Sequence, residues 1–318
     1  MNSILCIGEA LIDMICTDKG AALSDGDHFL KKAGGAPMNV AAAIAALGGK
    51  VSVSAKVGND PFGKHLIEVL NAFNVDTSHI ISSADHFTTF AFVSLMENGE
   101  RDFYFNRGAD GMLNDAEVAA IDINEFGIAH FGSATGFLPG PLQGAYANLL
   151  QRTKANGLYI SFDPNYRQLL FGNNQPEFIQ RSWEFIKASD FVKVSDEEAM
   201  MITSSSTVEE AMDVFFSETN AIIAVTIGKE GTLLGYKGNK LIVPSIEIIP
   251  VDTTGAGDAF VGAVLYQLSQ FKVDEMRDLD EINWINIFTN ANKAGARTCE
   301  YMGAMEAFKH LSGDIFKQ

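Results

Sequence analysis

The chain has 318 residues, 47% of them hydrophobic, which is enough to bury a large core. Its 40 acidic and 23 basic residues give a formal net charge of −17 at pH 7, which argues against binding to nucleic acids or anionic membranes. Three scattered cysteines, no basic leader and no apolar run of about 18 residues predict a cytoplasmic protein without disulfides, zinc or a membrane span.

Short, continuously apolar runs predict buried strands of a parallel sheet. The first covers residues 3–7 and ends at Gly8. Helical patterns alternate with the later runs, an order typical of one α/β domain whose mostly parallel sheet has helices on both faces. The other predicted strands are 51–57, 128–132, 158–162, 191–194 and 222–227, and the predicted helices are 37–47, 61–73, 142–156, 176–187 and 207–216.

One segment departs from this alternation. Residues 88–96 and 101–105 partly alternate in polarity and flank Asn98-Gly99, a pair that favours a tight hairpin turn. An antiparallel hairpin does not easily join a parallel sheet. We therefore expect a small separate sheet that forms a flap over the strand ends, where such folds bind ligands.

Residues 251–260 contain the richest motif of the chain. Gly255, Ala256 and Gly257 allow a ligand to approach the backbone, and the helix that starts there directs free N–H groups outward. This pattern predicts an anion site. Asp258, in the first helical turn, can either stabilise the helix or take a proton from an attacking hydroxyl group.

The heptapeptide Asp-Thr-Thr-Gly-Ala-Gly-Asp at 252–258 resembles the C-terminal signature of the ribokinase-like (PfkB) family of carbohydrate kinases. Gly-Gly-Ala-Pro-Met-Asn at 34–39 resembles the family's N-terminal signature. The resemblance covers essentially the whole chain and implies an ATP-dependent sugar kinase. It implies one ribokinase-like domain over 1–318, with a mostly parallel central sheet and a small β-sheet lid from segments at about 10–33 and 86–107.

The resemblance also implies roles for residues at the reaction centre and the sugar site. The family's catalytic base matches Asp258, and its anion hole matches Gly255, Ala256 and Gly257. Its sugar contacts match Asp13, Gly34, Gly35 and Asn39. Arg167, in Asp-Pro-Asn-Tyr-Arg at 163–167, lies near substrate or phosphate in this reading, with a surface ion pair as the alternative.

On the nucleotide side, Ser-Asp-Glu-Glu at 195–198 takes the place of the family's Asn-x-x-Glu motif. Glu198 would organise Mg²⁺ through water, whereas the role of Ser195, which replaces the Asn, stays open. The other implied nucleotide contacts are Lys193, Thr226, Gly228, Gly231 and Asn292. A plain hairpin turn would explain 226–231 equally well, and an exposed helical Asn292 needs no function. Some members bind K⁺, and Asp252 and Thr254 are the matching positions.

Two patterns limit the alternatives. Residues 58–64 have the spacing of a P-loop, but His65 stands where Ser or Thr would bind Mg²⁺, so we predict only a turn with Asp60 near a helix start. No Gly-x-Gly-x-x-Gly follows the first strand, which argues against a dinucleotide-binding oxidoreductase. A catalytically silent sugar-binding regulator remains an alternative of another class, which detectable ATP turnover would exclude.

The resemblance is strongest to the fructokinase members. Ala36 stands where ribokinase-type members carry Lys, and 103–110 resembles a fructokinase stretch in which an aromatic residue (Phe103) covers the sugar and an arginine (Arg107) reaches it. Alternatively, Phe103 only fills the hairpin's apolar face. We expect D-fructose to be converted to D-fructose 6-phosphate. The alternatives are 2-keto-3-deoxygluconate, with its carboxylate on Arg107 or Arg167, ribose and nucleosides. A homodimer through the lid is also compatible with the resemblance.

Overall fold

The computed structural model describes residues 1–96 and 101–317. Its strands are β1 (Ile4–Ile7), β2 (Leu11–Cys16), β3 (Phe29–Gly34), β4 (Val51–Gly58), β5 (Ile80–Ser83), β6 (Phe90–Leu95), β7 (Arg101–Asn106), β8 (Ile128–Phe131), β9 (Tyr159–Phe162), β10 (Phe191–Ser195), β11 (Ile222–Thr226), β12 (Thr232–Tyr236) and β13 (Asn239–Val243).

The α-helices alternate with these strands. The five helices predicted with bounds agree with observed helices to within about two residues at each end, whereas several other helices were not predicted. They are α1 (Ala36–Ala46), α2 (Pro61–Ala72), α3 (Asp115–Ala119), α4 (Pro141–Ala155), α5 (Gln168–Phe171), α6 (Gln175–Ile186), α7 (Asp196–Thr203), α8 (Val208–Glu218), α9 (Ala256–Leu268), α10 (Val273–Arg277), α11 (Glu281–Thr298) and α12 (Ala304–Phe308). Asp60 caps α2 by accepting hydrogen bonds from the N–H groups of Phe62 and Gly63, as its position near a helix start predicted.

The main sheet contains nine strands in the order β13-β12-β11-β10-β9-β8-β1-β4-β5. The seven strands from β11 to β5 are parallel, whereas β12 and β13 run antiparallel at one edge. The predicted fold class is therefore confirmed. Strands β5, β12 and β13 were absent from the prediction.

Helices cover both faces of this sheet. One buried apolar cluster lies on the face that carries α1, α9 and α11, and a second lies on the face that carries α4, α6 and α8. Strand β1 explains the pattern, because all four of its residues are buried and alternate between the two clusters. None of the described helices is long and apolar enough to cross a membrane.

A second, smaller sheet has the order β3-β2-β6-β7. The predicted hairpin supplies β6 and β7, which pair antiparallel, and β2 joins them by pairing parallel with β6. The hairpin thus forms a separate sheet, as predicted. The turn expected at Asn98-Gly99 lies outside the described residues. We call this four-stranded sheet the lid.

Candidate active site

The predicted site residues gather at the carboxyl ends of the parallel strands. Chain connections leave β1 toward β4 on one side and reach β8 on the other, so the order of the sheet reverses between β1 and β8. A crevice forms outside the strand ends at such a reversal, and ligands of open α/β folds bind there. The segments that follow β1, β8, β9, β10 and β11 all begin at this edge.

Asp258 lies in the first turn of α9, and its carboxylate meets the N-terminal half of the chain. Asn39, in the first turn of α1, donates a hydrogen bond from Nδ2 to Asp258 Oδ2 at 2.8 Å. The two signature motifs are thereby joined at one point. Oδ1 of Asn39 is buried and has no hydrogen-bond partner within the described chain, so it is available to accept a hydrogen bond from a ligand hydroxyl.

The surroundings of Asp258 favour its protonated form. Burial, supported by the negative charge of Asp163, raises its pKa to about 6, although Asn39, Lys193 and Arg167 act in the opposite direction. A carboxylate with a pKa near neutrality is suited to accept a proton from a hydroxyl group and release it again. Asp258 therefore combines the position and the proton affinity of a general base.

A buried cation lies beside Asp258 and the Gly-Ala-Gly turn. Lys193 on β10 places Nζ 3.1 Å from Oδ2 of Asp163, and a Cβ atom added to Gly257 would lie 3.2 Å from Nζ. Burial lowers the pKa of Lys193, but the carboxylates of Asp163, Glu198 and Asp258 outweigh it and raise the pKa overall. The ammonium group is therefore charged where a phosphate would approach α9.

The N-terminus of α9 supplies further hydrogen-bond donors. The Ala256 N–H closes a turn onto the Thr253 carbonyl at 3.2 Å. By contrast, the N–H groups of Gly255 and Gly257 have no acceptor in the described part of the chain. Of the three residues assigned to the anion hole, the outer two offer free N–H groups, and the middle one shapes the turn.

Glu198 has a structural role in addition to its predicted one. Ser195 caps α7 by accepting from the Glu198 N–H at 3.1 Å, and Glu198 Oε2 accepts in return from the Ser195 N–H at 2.8 Å. This is a capping box. Glu198 Oε1 accepts from the Tyr166 N–H at 2.7 Å, which ties the loop after β9 to α7. The role of Ser195, open in the sequence, includes this cap.

The sugar-side residues cluster around Asp13 in β2. Its carboxylate lies over Gly34, since a Cβ atom at Gly34 would come within 2.1 Å of Asp13 Oδ2. Burial raises the pKa of Asp13 to about 6, and the positive charge of Arg167 partly opposes this. Arg167 lowers the pKa of Asp258 as well, so its exposed guanidinium lies within electrostatic range of both acids.

Arg107 is held firmly on the loop that follows β7. Its guanidinium donates to the Pro139 carbonyl at 2.7 Å and the Thr135 carbonyl at 3.2 Å, and Nε donates to Asp110 Oδ2 at 3.4 Å. Two of its five N–H donors therefore have no acceptor among the described residues. Phe103 stacks on Phe105, with ring centroids 6.3 Å apart, on the same lid face as Asp13.

Three residues predicted to contact the nucleotide, Thr226, Gly228 and Gly231, lie in or beside the turn between β11 and β12. Thr226 ends β11, and the Ile227 N–H donates to the Gly231 carbonyl at 2.9 Å. Gly231 is required there because an added Cβ atom would lie 2.2 Å from the Val243 carbonyl oxygen. The turn lies at the same sheet edge as Asp258, and both predicted readings of 226–231 are compatible with it.

Asn292 is a correction, because the residue expected on an exposed helix surface is buried. Its Nδ2 donates to the Val243 carbonyl at 2.9 Å, and its Oδ1 accepts from the Thr232 hydroxyl at 2.7 Å. The amide thus joins α11 to the edge strands β12 and β13. Its contact with a nucleotide stays a prediction.

Asp252 shapes the turn that leads into α9. Its carboxylate accepts from Thr254 N–H at 3.0 Å, Thr254 Oγ1 at 2.7 Å and Gly303 N–H at 2.8 Å. Burial raises its pKa, but these hydrogen bonds outweigh burial and lower the pKa overall. Among the described residues, no group of three or more His, Cys, Asp or Glu side chains is arranged to hold a metal ion.

Two buried acids at the site had no role in the prediction, Asp163 and Glu9. Asp163 is the partner of Lys193, and Glu9 accepts hydrogen bonds from residues after β8 and at the start of α1. The only sequence signal for either is an acidic residue directly after a buried strand. Such a residue is as typical of a solvated loop as of a buried anchor.

Several known proteins resemble this chain along nearly its whole length. The sequence pattern of the pfkB family carbohydrate kinases matches residues 1–310. Fructokinase-1 of Oryza sativa subsp. japonica is 34% identical over 307 residues, which cover 95% of this chain and 93% of that protein. The fructokinase of Xylella fastidiosa with bound ATP has a TM-score of 0.86 at 28% identity, covering 99% of this chain and 97% of that chain. A fructokinase double mutant from Vibrio cholerae O395, bound to fructose, ADP and potassium ion, has a TM-score of 0.84 at 28% identity, with coverages of 100% and 97%.

Proposed function

This chain belongs to the pfkB family of carbohydrate kinases, as its two signatures predicted, and we propose that it transfers the terminal phosphoryl group of ATP to D-fructose, giving D-fructose 6-phosphate. The observation that carries the proposal is the contact between Asn39 and Asp258, which joins a sugar-side motif to a phosphate-side motif at a carboxylate with a raised pKa. The fructokinases of rice, Xylella fastidiosa and Vibrio cholerae support fructose as the acceptor.

In this mechanism Asp258 takes the proton of the attacking hydroxyl group. At pH 7 its carboxyl, with a pKa of about 6, is mostly ionised and can accept that proton. Phosphoryl transfer has a loose transition state, so the protein mainly aligns the reactants and stabilises negative charge. The free N–H groups of Gly255 and Gly257 and the ammonium group of Lys193 surround the place where that charge develops.

Glu198 fits the outer coordination sphere of Mg²⁺, because each of its oxygens accepts one protein N–H and keeps a second lone pair for a metal-bound water. Mg²⁺ bound by ATP and water would supply positive charge to the phosphates. The carboxylate of Asp252 already accepts three hydrogen bonds, which fix the turn that includes Thr254. At a K⁺ site beside this turn, Asp252 would therefore hold the turn in place and contribute negative charge.

The sugar would lie between the lid and the start of α1. Asp13 and Asn39 Oδ1 offer acceptors to its hydroxyl groups, and Arg107 offers two donors. Phe103 would cover the sugar and keep water away, which matters because hydrolysis of ATP competes with transfer. A site that binds hydroxyl groups through hydrogen bonds from buried polar atoms discriminates strongly against analogues that lack those groups.

A homodimer formed through the lid is part of the proposal. Ile15, Leu30 and Leu95 are 40%, 44% and 61% exposed, and the strand register places all three on one face of the lid. Adjacent exposed apolar side chains on a sheet favour association with a second surface. The cytoplasmic location stays a prediction.

The acceptor is tested by measuring ADP release with fructose, ribose, 2-keto-3-deoxygluconate and adenosine. We expect fructose to have the highest kcat/KM. Arg107→Ala should raise the KM for fructose about 10-fold or more, because it removes charged donors worth about 1.5–3 kcal/mol each. A better acceptor among the other three would overturn the fructose assignment, and absence of ATP turnover with every acceptor would favour the silent regulator.

Arg152→Ala is the matched control for this variant. The guanidinium of Arg152 also donates to backbone carbonyls, those of Val118 at 2.6 Å and Ile121 at 3.0 Å, but between α3 and α4. If both variants lose fructose affinity equally, the loss reflects general destabilisation, and Arg107 has no specific place in the sugar site.

A further inference from the structure

Glu9 is a buried carboxylate with no cationic partner among the described residues. Its side chain is 1% exposed, and the described chain places no Lys, Arg or His within ion-pair distance. Burial raises its pKa, and the charge of Asp110 adds to this. A buried acid of this kind costs stability relative to an apolar residue, so its value lies in the contacts that it makes.

On one side, Glu9 holds the start of α1. Its Oε1 accepts from the N–H group of Ala36, the first residue of the helix, at 3.0 Å. The chain enters the helix through Gly35, which has a φ of 111° and approaches so closely that a Cβ atom would lie 2.4 Å from the Glu9 carbonyl oxygen. Asn39, one turn later, donates to Asp258. The position of Ala36 therefore determines where Asn39 meets the base.

On the other side, Glu9 holds the loop after β8. Its Oε2 accepts from the Ser133 hydroxyl at 2.5 Å, and Oε1 lies 3.4 Å from the Ala134 N–H. The next residue, Thr135, offers the carbonyl that receives a hydrogen bond from Arg107 Nη2 at 3.2 Å. The anchor of Arg107 thus depends on the same carboxylate as the start of α1.

We propose that Glu9 is a positioning residue for the acceptor site, which sets the distance between the Asn39 side of that site on α1 and the Arg107 side on the loop after β8. It lies where the strand order reverses between β1 and β8, so its two oxygens span the two walls of the crevice. The inference rests on the proposed sugar kinase function and adds a residue that has no contact with substrate.

The test compares Glu9→Ala and Glu9→Gln in the full-length protein. Glutamine can accept from Ala36 with its oxygen and donate to Ser133 with its amide nitrogen, so it preserves both connections without the charge. We expect Glu9→Ala to lower kcat/KM for the sugar about 10-fold or more, since small misplacements of reacting groups are costly. The KM for ATP should stay within about 2-fold, and Glu9→Gln should recover most of the activity.

Thr153→Ala serves as the control for lost stability, because the buried Thr153 hydroxyl donates within its own helix, to the carbonyls of Leu149 and Leu150. If Glu9→Ala does not fold, Ser133→Ala should show the same selective loss more weakly. Equal losses toward sugar and ATP, or a Glu9→Gln variant as impaired as Glu9→Ala, would overturn the positioning role. A wild-type protein inactive with every sugar would instead overturn the proposed function.

Discussion

Asp258 is the residue on which the proposed chemistry depends. Its carboxylate receives one neutral hydrogen bond, from Asn39 at 2.8 Å, and its pKa is raised to about 6. We expect Asp258→Asn to lower kcat by about 10²–10⁴-fold with a smaller change in sugar affinity, the usual range for loss of a general base. Steady-state kinetics with fructose and ATP check this, and near-normal turnover would remove Asp258 from the mechanism.

The same pKa predicts a pH dependence with a definite sign. Below pH 6 the Asp258 carboxyl is protonated and cannot act as a base, so kcat/KM of the wild type should fall as the pH decreases through about 6. The residual activity of Asp258→Asn should lose the part of this step that Asp258 contributes, while Asp13, whose pKa is also raised to about 6, still titrates in this range. A wild-type kcat/KM that stays constant from about pH 5 to about pH 7 would contradict the assignment, because this range spans the pKa of about 6.

The raised pKa values of Asp13 and Asp258 also bear on stability. An acid whose pKa is higher in the folded than in the unfolded chain contributes stability below its unfolded pKa, and that contribution is lost as the pH rises through the folded value. At pH 7 both ionised acids therefore weaken the unliganded fold. Asp258→Asn should accordingly raise the Tm at pH 8, with a smaller gain at pH 5.

At the scale of an element, helix α7 combines a cap with a proposed metal role. Ser195→Ala removes the side chain that accepts from the Glu198 N–H, and should lower the free energy of unfolding by about 1 kcal/mol. Glu198→Gln keeps the capping contact with Ser195, since Gln is also found at this position of a capping box, but it removes the charge and leaves the Tyr166 N–H without its acceptor. It should raise the Mg²⁺ concentration needed for half-maximal activity.

The two variants control for each other. Urea unfolding measures the loss of stability expected for Ser195→Ala. Titration of the activity with Mg²⁺ measures the higher metal requirement expected for Glu198→Gln. If Ser195→Ala shifts the Mg²⁺ titration as much as Glu198→Gln does, the effect comes from the helix start. In that case Glu198 contributes to the capping box but has no separate role in metal binding.

At the scale of the whole molecule, the proposed homodimer depends on one face of the lid. Leu30→Glu places a charge on the face that also carries Ile15 and Leu95, so we expect it to weaken the proposed homodimer. Tyr104→Glu, on the opposite face of the lid and 59% exposed, is the matched control and should leave association unchanged. Analytical ultracentrifugation measures both, and a wild-type protein that sediments as a monomer at all concentrations would contradict the dimer.

The sequence by itself determined the family and many of the elements, though not all of them. The apolar-rich runs of β1, β4 and β8 and the glycine-rich start of α9 are local patterns, so composition and spacing along the chain are sufficient to recognise them. Strand β12 escaped prediction because Gly235 interrupts its apolar run, and the space left by the missing side chain is filled by Met212 of α8. The glycine is explained by its packing against Met212, which the residues next to Gly235 do not reveal.

Only the tertiary structure decided which of these elements meet. Asn39 and Asp258 are 219 residues apart, and their contact requires α1 and α9 to pack side by side on one face of the sheet. The burial of Asn292, the pairing of Lys193 with Asp163 and the shared contacts of Glu9 arise in the same way. Local patterns specify turns and periodicity, whereas strand order brings distant strand ends to one edge. The environment there sets the burial and charge on which the pKa values depend.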